Sequence, residues 1–406
     1  MMSRYCIDTA WQSLKKHGEP LCGDSVEIVD RGALEKGSLL QDDGRDDGSM
    51  VMVLADGLGS GVKANILSTL TSKIISTMTA QSMSLAECVS AVAATLPVCE
   101  VRKIAYSTFT VIRISKKLEA EIAQYDNPSV ILLRDGRNFD YPRETVHIDG
   151  KEIYKTAIRL RENDTFIAMS DGVVHAGVGG RLNFGWQWEH VAAYMEKTYR
   201  REYTAKRLSA ILLDQCMTLY DGRPGDDATV CAMKIRRRKS VNLMIGPPAD
   251  RKDVGEMMQS FFSAEGTHIV CGGTTSTLAA RFLGKKLNVP VSGYVDPEIP
   301  PVAEIEGVDL VTEGVVTINR VLSNARSYLE GNAGLSDWYF REDAASKIAR
   351  LLIEGGTDIR FFVGRAVNPA HQNPALPIGF NIKMHLIQEL SESLKKMGKR
   401  VEARYF

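Results

Sequence analysis

Runs of apolar residues mark the strands in the first half of the chain. The run MVMVLA at residues 50–55 is typical of a strand buried on both faces, and residues 62–78 carry apolar positions at helical spacing. Helical patterns also lie near residues 186–198 and 203–220. Further apolar runs predict strands at residues 107–114, 118–125, 129–134, 165–170 and 228–235. Many strands with grouped helices predict an α+β fold for this part of the chain.

Strand, turn and helix alternate regularly in the second half. HIVCGG at residues 268–273 and VDLVTEG at 308–314 each precede a helical pattern. A strand at 358–364 is followed by a last helix near 381–397 and then by RVEARY at 400–405. This alternation is typical of an α/β domain with parallel strands.

A basic run, RRRK at residues 236–239, separates the two patterns. We interpret it as a solvated linker, because such runs are usually exposed. With 406 residues the chain is long enough for two or three domains. We therefore predict one domain at residues 1–238 and an α/β domain, of possible regulatory role, at 240–406.

Composition and charge narrow the class of protein. The 50 basic and 50 acidic side chains balance, so no net charge draws the chain to nucleic acid or anionic lipid. No apolar run approaches the roughly 18 residues of a membrane span, and the polar start with Asp8 is unlike a secretory signal. Seven cysteines without a CxxC pair favour reduced thiols. We expect a cytoplasmic protein that binds neither membrane nor nucleic acid and holds any metal through oxygen.

Aspartate occurs beside glycine in the turns at the ends of four predicted strands. These turns are CGDS at 22–25, LADGLGSG at 54–61, SDGV at 170–173 and GDDAT at 225–229. Asp-Gly alone is a common turn signal. Four such turns could bring several carboxylates together, and hard ions such as Mg²⁺ and Mn²⁺ prefer oxygen ligands.

In order and spacing, these turns, together with STFT at 107–110 and DDATV at 226–230, resemble the metal-dependent protein serine/threonine phosphatases of the PPM (type 2C) family. The resemblance is closest to the bacterial branch typified by the stage II sporulation protein E (SpoIIE) phosphatase, and it covers residues 20–235. It implies an αββα sandwich with a metal centre at one edge. It says nothing about residues 240–406.

The site residues of the family can be assigned to this sequence position by position. The resemblance implies that Asp56 bridges two ions of Mn²⁺ or Mg²⁺, that the Gly57 carbonyl is a ligand of one, and that Asp171 and Asp226 are ligands of the second; a third ion is left open. Asp24 matches the first acidic position, which supports the centre directly or through water. Asp227 is expected to contact the ligands without binding the metal itself. Asp56, Asp171 and Asp226 are the residues on which catalysis would depend.

The implied reaction is attack on phosphorus by a water that two metal ions activate. Leu58 stands where many eukaryotic members carry a His proposed as general acid, which predicts a slower enzyme. Asn127-Pro128 stands where this branch often has a His, and we assign it no catalytic role. Glu19 precedes the GD turn, as acidic residues often do in this branch, but it is equally well interpreted as a surface carboxylate. No phosphate-binding residue can be chosen from Arg4, Lys15 and Lys16.

In the second half, the helix after Gly272-Gly273 starts with Thr274, Thr275, Ser276 and Thr277. Free backbone N–H groups there could bind a small anionic ligand, with Glu313-Gly314 at the same sheet edge, although Thr and Ser are also ordinary helix caps. No dinucleotide or P-loop motif is present.

The sequence thus predicts a hydrolase of signal transduction that dephosphorylates phosphoserine or phosphothreonine on a protein, which in this branch is often an anti-anti-sigma regulator. The alternative is a catalytically silent PPM-fold scaffold or ligand-sensing regulatory protein.

Overall fold

The computed structural model describes residues 4–30, 49–81, 83–95, 107–289, 302–330, 337–366 and 382–406. These residues divide into two units, with the division between Arg237 and Arg238. Among the described residues, no helix is long and apolar enough to cross a membrane.

The strands and helices of the first unit include every element that the apolar patterns predict there. Its strands are β1 (Tyr5–Leu14), β2 (Asp24–Asp30), β3 (Met50–Gly57), β4 (Ser107–Ile114), β5 (Glu119–Tyr125), β6 (Ile131–Arg134), β7 (Arg137–Asn138), β8 (Glu144–Ile148), β9 (Lys151–Arg159), β10 (Thr165–Met169) and β11 (Ala228–Arg237). Its helices are α1 (Gly61–Ala80), α2 (Leu85–Thr95), α3 (Asp171–Val174), α4 (Trp188–Thr198) and α5 (Ala205–Leu219).

Two antiparallel sheets form the centre of this unit. In the part of the chain that the structure describes, one sheet has the strand order β1-β11-β10-β6-β7 and the other β2-β3-β4-β5-β9-β8. Helices α1 and α2 pack on the outer face of the second sheet, and α4 and α5 pack on the outer face of the first. The α+β class and the αββα layers expected for residues 1–238 are confirmed.

The two faces of β3 show why its apolar run is continuous. Met52 and Leu54 point into the core between the sheets, where they meet Phe166 of β10. Val51 and Val53 point outward against α1 and α2. Because successive side chains of a strand alternate between its faces, a strand covered on both faces needs apolar residues throughout.

The second unit has strands and helices in alternation. Its strands are β12 (Ser240–Ile245), β13 (Thr267–Cys271), β14 (Leu287–Asn288), β15 (Glu304–Ile305), β16 (Leu310–Thr312), β17 (Asp358–Val363) and β18 (Arg400–Tyr405). Its helices are α6 (Val254–Phe262), α7 (Gly273–Leu283), α8 (Val315–Glu330), α9 (Ala344–Ala349) and α10 (Ile382–Lys396). Short 3₁₀ turns cover Arg251–Asp253 and Asp337–Phe340, and a π-helical turn, Arg350–Gly355, follows α9.

A parallel sheet with the order β16-β13-β12-β17-β18 forms the centre of the second unit. Helices α6 and α7 cover one face, and α8, α9 and α10 cover the other. The strand order reverses between β12 and β17, which is the pattern of a doubly wound α/β sheet.

We predict that residues 1–238 fold alone, because β11 completes the first sheet and ends at Arg237. The truncated chain should unfold in one cooperative thermal transition with the far-UV circular dichroism of an α+β protein, and residues 239–406 should do the same as an α/β domain. A soluble but non-cooperative 1–238 fragment would contradict the predicted boundary.

Candidate active site

Asp24 and Asp56 face each other at one end of the second sheet. Asp24 begins β2, Asp56 lies near the end of β3, and the antiparallel register places the two residues directly opposite. The backbone N–H of Gly57 donates to the carbonyl of Gly23 at 3.2 Å and continues this pairing. The strand register alone therefore brings the first two acidic turns together.

Ser170 connects this pair to the other two acidic turns. Its hydroxyl donates to Oδ2 of Asp24 at 2.8 Å and accepts the backbone N–H of Thr229 at 2.8 Å. Ser170 precedes Asp171, the first residue of α3. Thr229 is the second residue of β11, which begins directly after Asp226-Asp227. One buried hydroxyl thus links three of the four predicted turns.

Two glycines allow backbone segments to approach closely. A Cβ on Gly57 would lie 2.1 Å from the carbonyl oxygen of Ala64, and one on Gly172 would lie 2.0 Å from the carbonyl oxygen of Asp227. Both positions exclude any side chain. The glycine of each Asp-Gly turn is therefore required by packing as well as by the turn.

The carboxyl groups destabilise one another in their charged forms. Burial, together with the charges of Asp24 and Asp171, raises the pKa of Asp56 far above its ordinary value. Burial is also the main cause that raises the pKa of Asp24, to about 7, although the hydrogen bonds from Thr229 and Ser170 oppose it.

Asp171 and Asp226 form the accessible side of the cluster. Their side chains are 47% and 40% exposed, respectively. Burial and the charge of Asp171 raise the pKa of Asp226, and the nearby Lys16 opposes that rise. A ligand from solvent can therefore reach the cluster on this side.

Lys16 is a site residue that sequence analysis left undecided. Its Nζ lies 3.8 Å from Oδ1 of Asp226, and its backbone N–H donates to Oδ1 of Asp227 at 3.0 Å. The antiparallel register pairs Leu14 of β1 with Ala228 of β11. Lys16 and Asp226 lie two positions beyond that pair and are therefore neighbours. Recognising β1 as the partner of β11 would have located Lys16.

Asp126 is a further acidic residue that sequence analysis missed. It adopts a left-handed backbone conformation with φ 53°, and burial together with the charge of Asp171 raises its pKa. The next residue, Asn127, accepts from Thr108 at 2.5 Å and donates to Thr110 at 3.1 Å. Since Thr108 lies opposite Asp56, this turn is attached to the strand beside the cluster. The sequence Asp-Asn-Pro directly after a predicted strand was the feature that could have indicated this residue.

Glu19 has a defined contact at the start of α1. Its carboxylate accepts a hydrogen bond from Ser60 at 2.7 Å, and a Cβ on Gly61 would lie 2.4 Å from Oε2 of Glu19. It holds the chain before Asp24 against the turn that follows Asp56.

The cysteine beside the cluster has little thiolate character. Burial and the charge of Asp24 raise the pKa of Cys22 to about 12. Since the thiolate is the nucleophile, Cys22 is poorly suited to attack phosphorus.

The cluster fits a divalent cation in charge and in donor chemistry. Oδ1 of Asp24 and Oδ2 of Asp227 are buried and accept no hydrogen bond from described residues. All the converging donors are oxygens, as Mg²⁺ and Mn²⁺ prefer. Among the described residues, no three His, Cys, Asp or Glu side chains converge closely enough to form a finished ligand set. The structure places Asp24, Asp56, Gly57, Asp171, Asp226 and Asp227 at the same end of the two sheets, while their roles as ligands stay predictions.

The predicted anion site in the second unit has an acidic neighbour. Gly272 and Gly314 lie in contact, since a Cβ on Gly314 would be 3.4 Å from Cα of Gly272. Oε1 of Glu313 would lie 3.9 Å from a Cβ on Gly273, at the first turn of α7. The carboxylate of Glu313 would repel an anion bound at this turn. The anionic ligand therefore stays a prediction, and this carboxylate argues against it.

Comparison with known proteins gives a family match in the first unit. Residues 46–236 match the family model described as Stage II sporulation protein E (SpoIIE), a range that contains Asp56, Asp171 and Asp226 but not Asp24. The match supports a SpoIIE-like protein phosphatase domain of the PPM class in this part of the chain. No curated protein matches the chain significantly.

Similar solved structures include two of SpoIIE from Bacillus subtilis. The phosphatase domain has 16% identity and a TM-score of 0.43, covering 58% of this chain and 94% of that chain. The phosphatase domain with a fragment of the regulatory domain has 17% identity and a TM-score of 0.46, and this match spans 58% of the present chain and 65% of the other. RsbX in complex with magnesium has 18% identity and a TM-score of 0.37, covering 56% of this chain and 95% of that chain.

Without metal, we expect the free energy of unfolding of the first unit to decrease as pH rises from about 5 to about 8. The pKa of Asp24 is higher in the folded protein, at about 7, than its ordinary 3.8, so protonation favours folding. That stabilisation is complete below the ordinary pKa and is lost as pH rises through the folded one. Urea unfolding in EDTA between about pH 5 and about pH 8 measures this change in the free energy of unfolding.

Asp24→Asn should flatten this pH profile, because an amide keeps an acceptor for Ser170 and cannot ionise. The matched control is Asp140→Asn at an exposed position. A profile of Asp24→Asn as steep as that of the control would show that Asp24 is not the titrating group.

Proposed function

We propose that the first unit is a metal-dependent phosphatase that hydrolyses phosphoserine or phosphothreonine on a protein substrate. The observation that supports this most directly is the convergence of buried Asp24 and half-buried Asp56 with accessible Asp171 and Asp226 at one end of the two sheets. The substrate we favour is a phosphorylated regulator of the anti-anti-sigma type, on the resemblance to the SpoIIE branch.

The groups that would hold Mn²⁺ or Mg²⁺ are the carboxylates of Asp24, Asp56, Asp171 and Asp226 and the carbonyl of Gly57. Bound divalent ions supply positive charge for a phosphomonoester dianion and lower the pKa of water at the site. Carboxylates that repel one another without a cation are suited to this role, because a cation removes the repulsion.

The chain's own residues fix the geometry of these groups. Ser170 orients the carboxylate of Asp24 through its hydroxyl. The Ser107 hydroxyl donates to the backbone carbonyl of Asp56 at 2.9 Å and holds the end of β3. The exposed edges of Asp171 and Asp226 leave a side through which a phosphoserine can enter, and the Lys16 amine adds a positive charge beside Asp226.

Asp56→Ala and Asp171→Ala should each reduce hydrolysis of p-nitrophenyl phosphate with Mn²⁺ by at least about 100-fold while the protein stays folded. Each removes one proposed ligand and no apolar core residue. Asp140→Ala is the control for loss of an exposed carboxylate and should keep full activity.

EDTA should abolish the activity of the unmodified protein, and Mn²⁺ should restore it. Full activity of Asp56→Ala would reject the assignment of the site. Absence of hydrolysis by the folded, unmodified protein with Mn²⁺ would instead support the silent scaffold.

A further inference from the structure

Helix α1 exposes apolar side chains where a surface helix normally carries polar ones. Val62, Ile66 and Leu70 are 51%, 53% and 44% exposed, at a spacing that places them on one outward face. Much of the buried face is polar, with Ser68, Thr71, Ser72 and Ser76. The outward face is thus apolar over the first half of this helix, while most of the buried polar residues lie in its second half.

The exposed apolar residues lie at the end of α1 next to the candidate active site. The helix begins at Gly61, shortly after Asp56 and Gly57. Leu21 is 44% exposed, and its neighbour Cys22 accepts a hydrogen bond from Nδ2 of Asn65 in the second turn of α1 at 2.8 Å. We call Leu21, Val62, Ile66 and Leu70 the α1 patch.

The same outward face becomes polar farther from the site. Lys73 is exposed and donates to Glu27 of β2 at 2.8 Å, and Thr77 is exposed one turn later. The apolar character is therefore confined to the half nearest the acidic cluster. Exposed apolar patches on soluble proteins commonly mark contacts with other proteins.

We propose that the α1 patch binds an apolar segment of the phosphoprotein substrate. This rests on the proposed function, because a phosphoserine that enters the acidic cluster brings its flanking chain over the surface beside the site. Carboxylates dominate the cluster, so apolar contact is a source of attraction that does not depend on the charges of the substrate. Val62 to Leu70 span about 12 Å, enough for two turns of a partner helix.

A second copy of this chain fits the patch less well than a substrate does. The patch begins next to the acidic cluster, so a copy seated on it would lie beside the side by which a phosphoserine enters. A substrate segment on the patch carries its own phosphoserine toward that entrance.

The test compares two phosphoserine substrates of the full chain with Mn²⁺. One is a pentapeptide, too short to reach the patch, and the other is a long peptide with leucine-rich flanks on both sides of the phosphoserine. Ile66→Glu and Leu70→Glu should raise KM for the long peptide at least about tenfold and leave kcat unchanged. Kinetics with the pentapeptide should not change.

Thr77→Glu is the matched control, since it adds the same charge to the outward face of α1 outside the patch. It should leave KM for the long peptide unchanged. Ile66→Ser serves as a second variant should a glutamate impair folding. Fluorescence anisotropy with the labelled long peptide measures Kd without turnover, and Kd should rise in parallel with KM.

Equal KM and Kd for the long peptide in the patch variants and the control would overturn the proposal. A dimer of the unmodified protein that Ile66→Glu dissociates would also overturn it, because a second copy would then occupy the patch. Failure to hydrolyse either peptide would reject the proposed function instead, while anisotropy would still report whether the patch binds the peptide.

Discussion

Electrostatic repulsion among clustered carboxylates, of which Asp24 is fully buried, is the constraint on which the first unit depends. The strand register places Asp24 opposite Asp56, and Ser170 ties this pair to the turns that carry Asp171 and Asp226. Burial and neighbouring charges raise the pKa values of Asp24, Asp56 and Asp226. The fold therefore holds negative charge where the charged state is unfavourable, an arrangement typical of functional sites rather than of stabilising cores.

The sandwich makes that arrangement possible. Apolar layers between the sheets and on both outer faces stabilise the fold away from the cluster, so the acidic turns need not contribute to its stability. Close packing at Gly57 and Gly172 keeps the turns rigid. The half of α1 with exposed apolar side chains lies at the end of the sandwich that carries the cluster. The outward face of α1 is therefore apolar near the cluster and polar farther from it.

Local patterns predicted the fold class and the most apolar strands, missed β1, β2, β7, β8, β9 and β12, and found only part of the site. Strands buried on both faces, such as β3 and β11, are continuous apolar runs and were found with nearly correct bounds. β1 was missed because Asp8, Gln12 and Ser13 interrupt its apolar residues. Lys16 was left undecided for the same reason, since its place beside Asp226 follows from the pairing of β1 with β11. Asp126 depends on a left-handed turn that its sequence does not specify uniquely.

The most direct test of the account is the thermal stability of the full chain as a function of Mn²⁺ at about pH 8, where the carboxylates repel most strongly. Mn²⁺ should raise the Tm of the unmodified protein. Asp24→Asn should raise the Tm without metal, because the pKa of Asp24 is about 7 and its carboxylate is charged at this pH. Asp56→Asn should lose most of the response to Mn²⁺, because it removes a proposed ligand. An unmodified protein that does not respond to Mn²⁺, or an Asp56→Asn variant that responds fully, would contradict the claim that this cluster is built for a divalent cation.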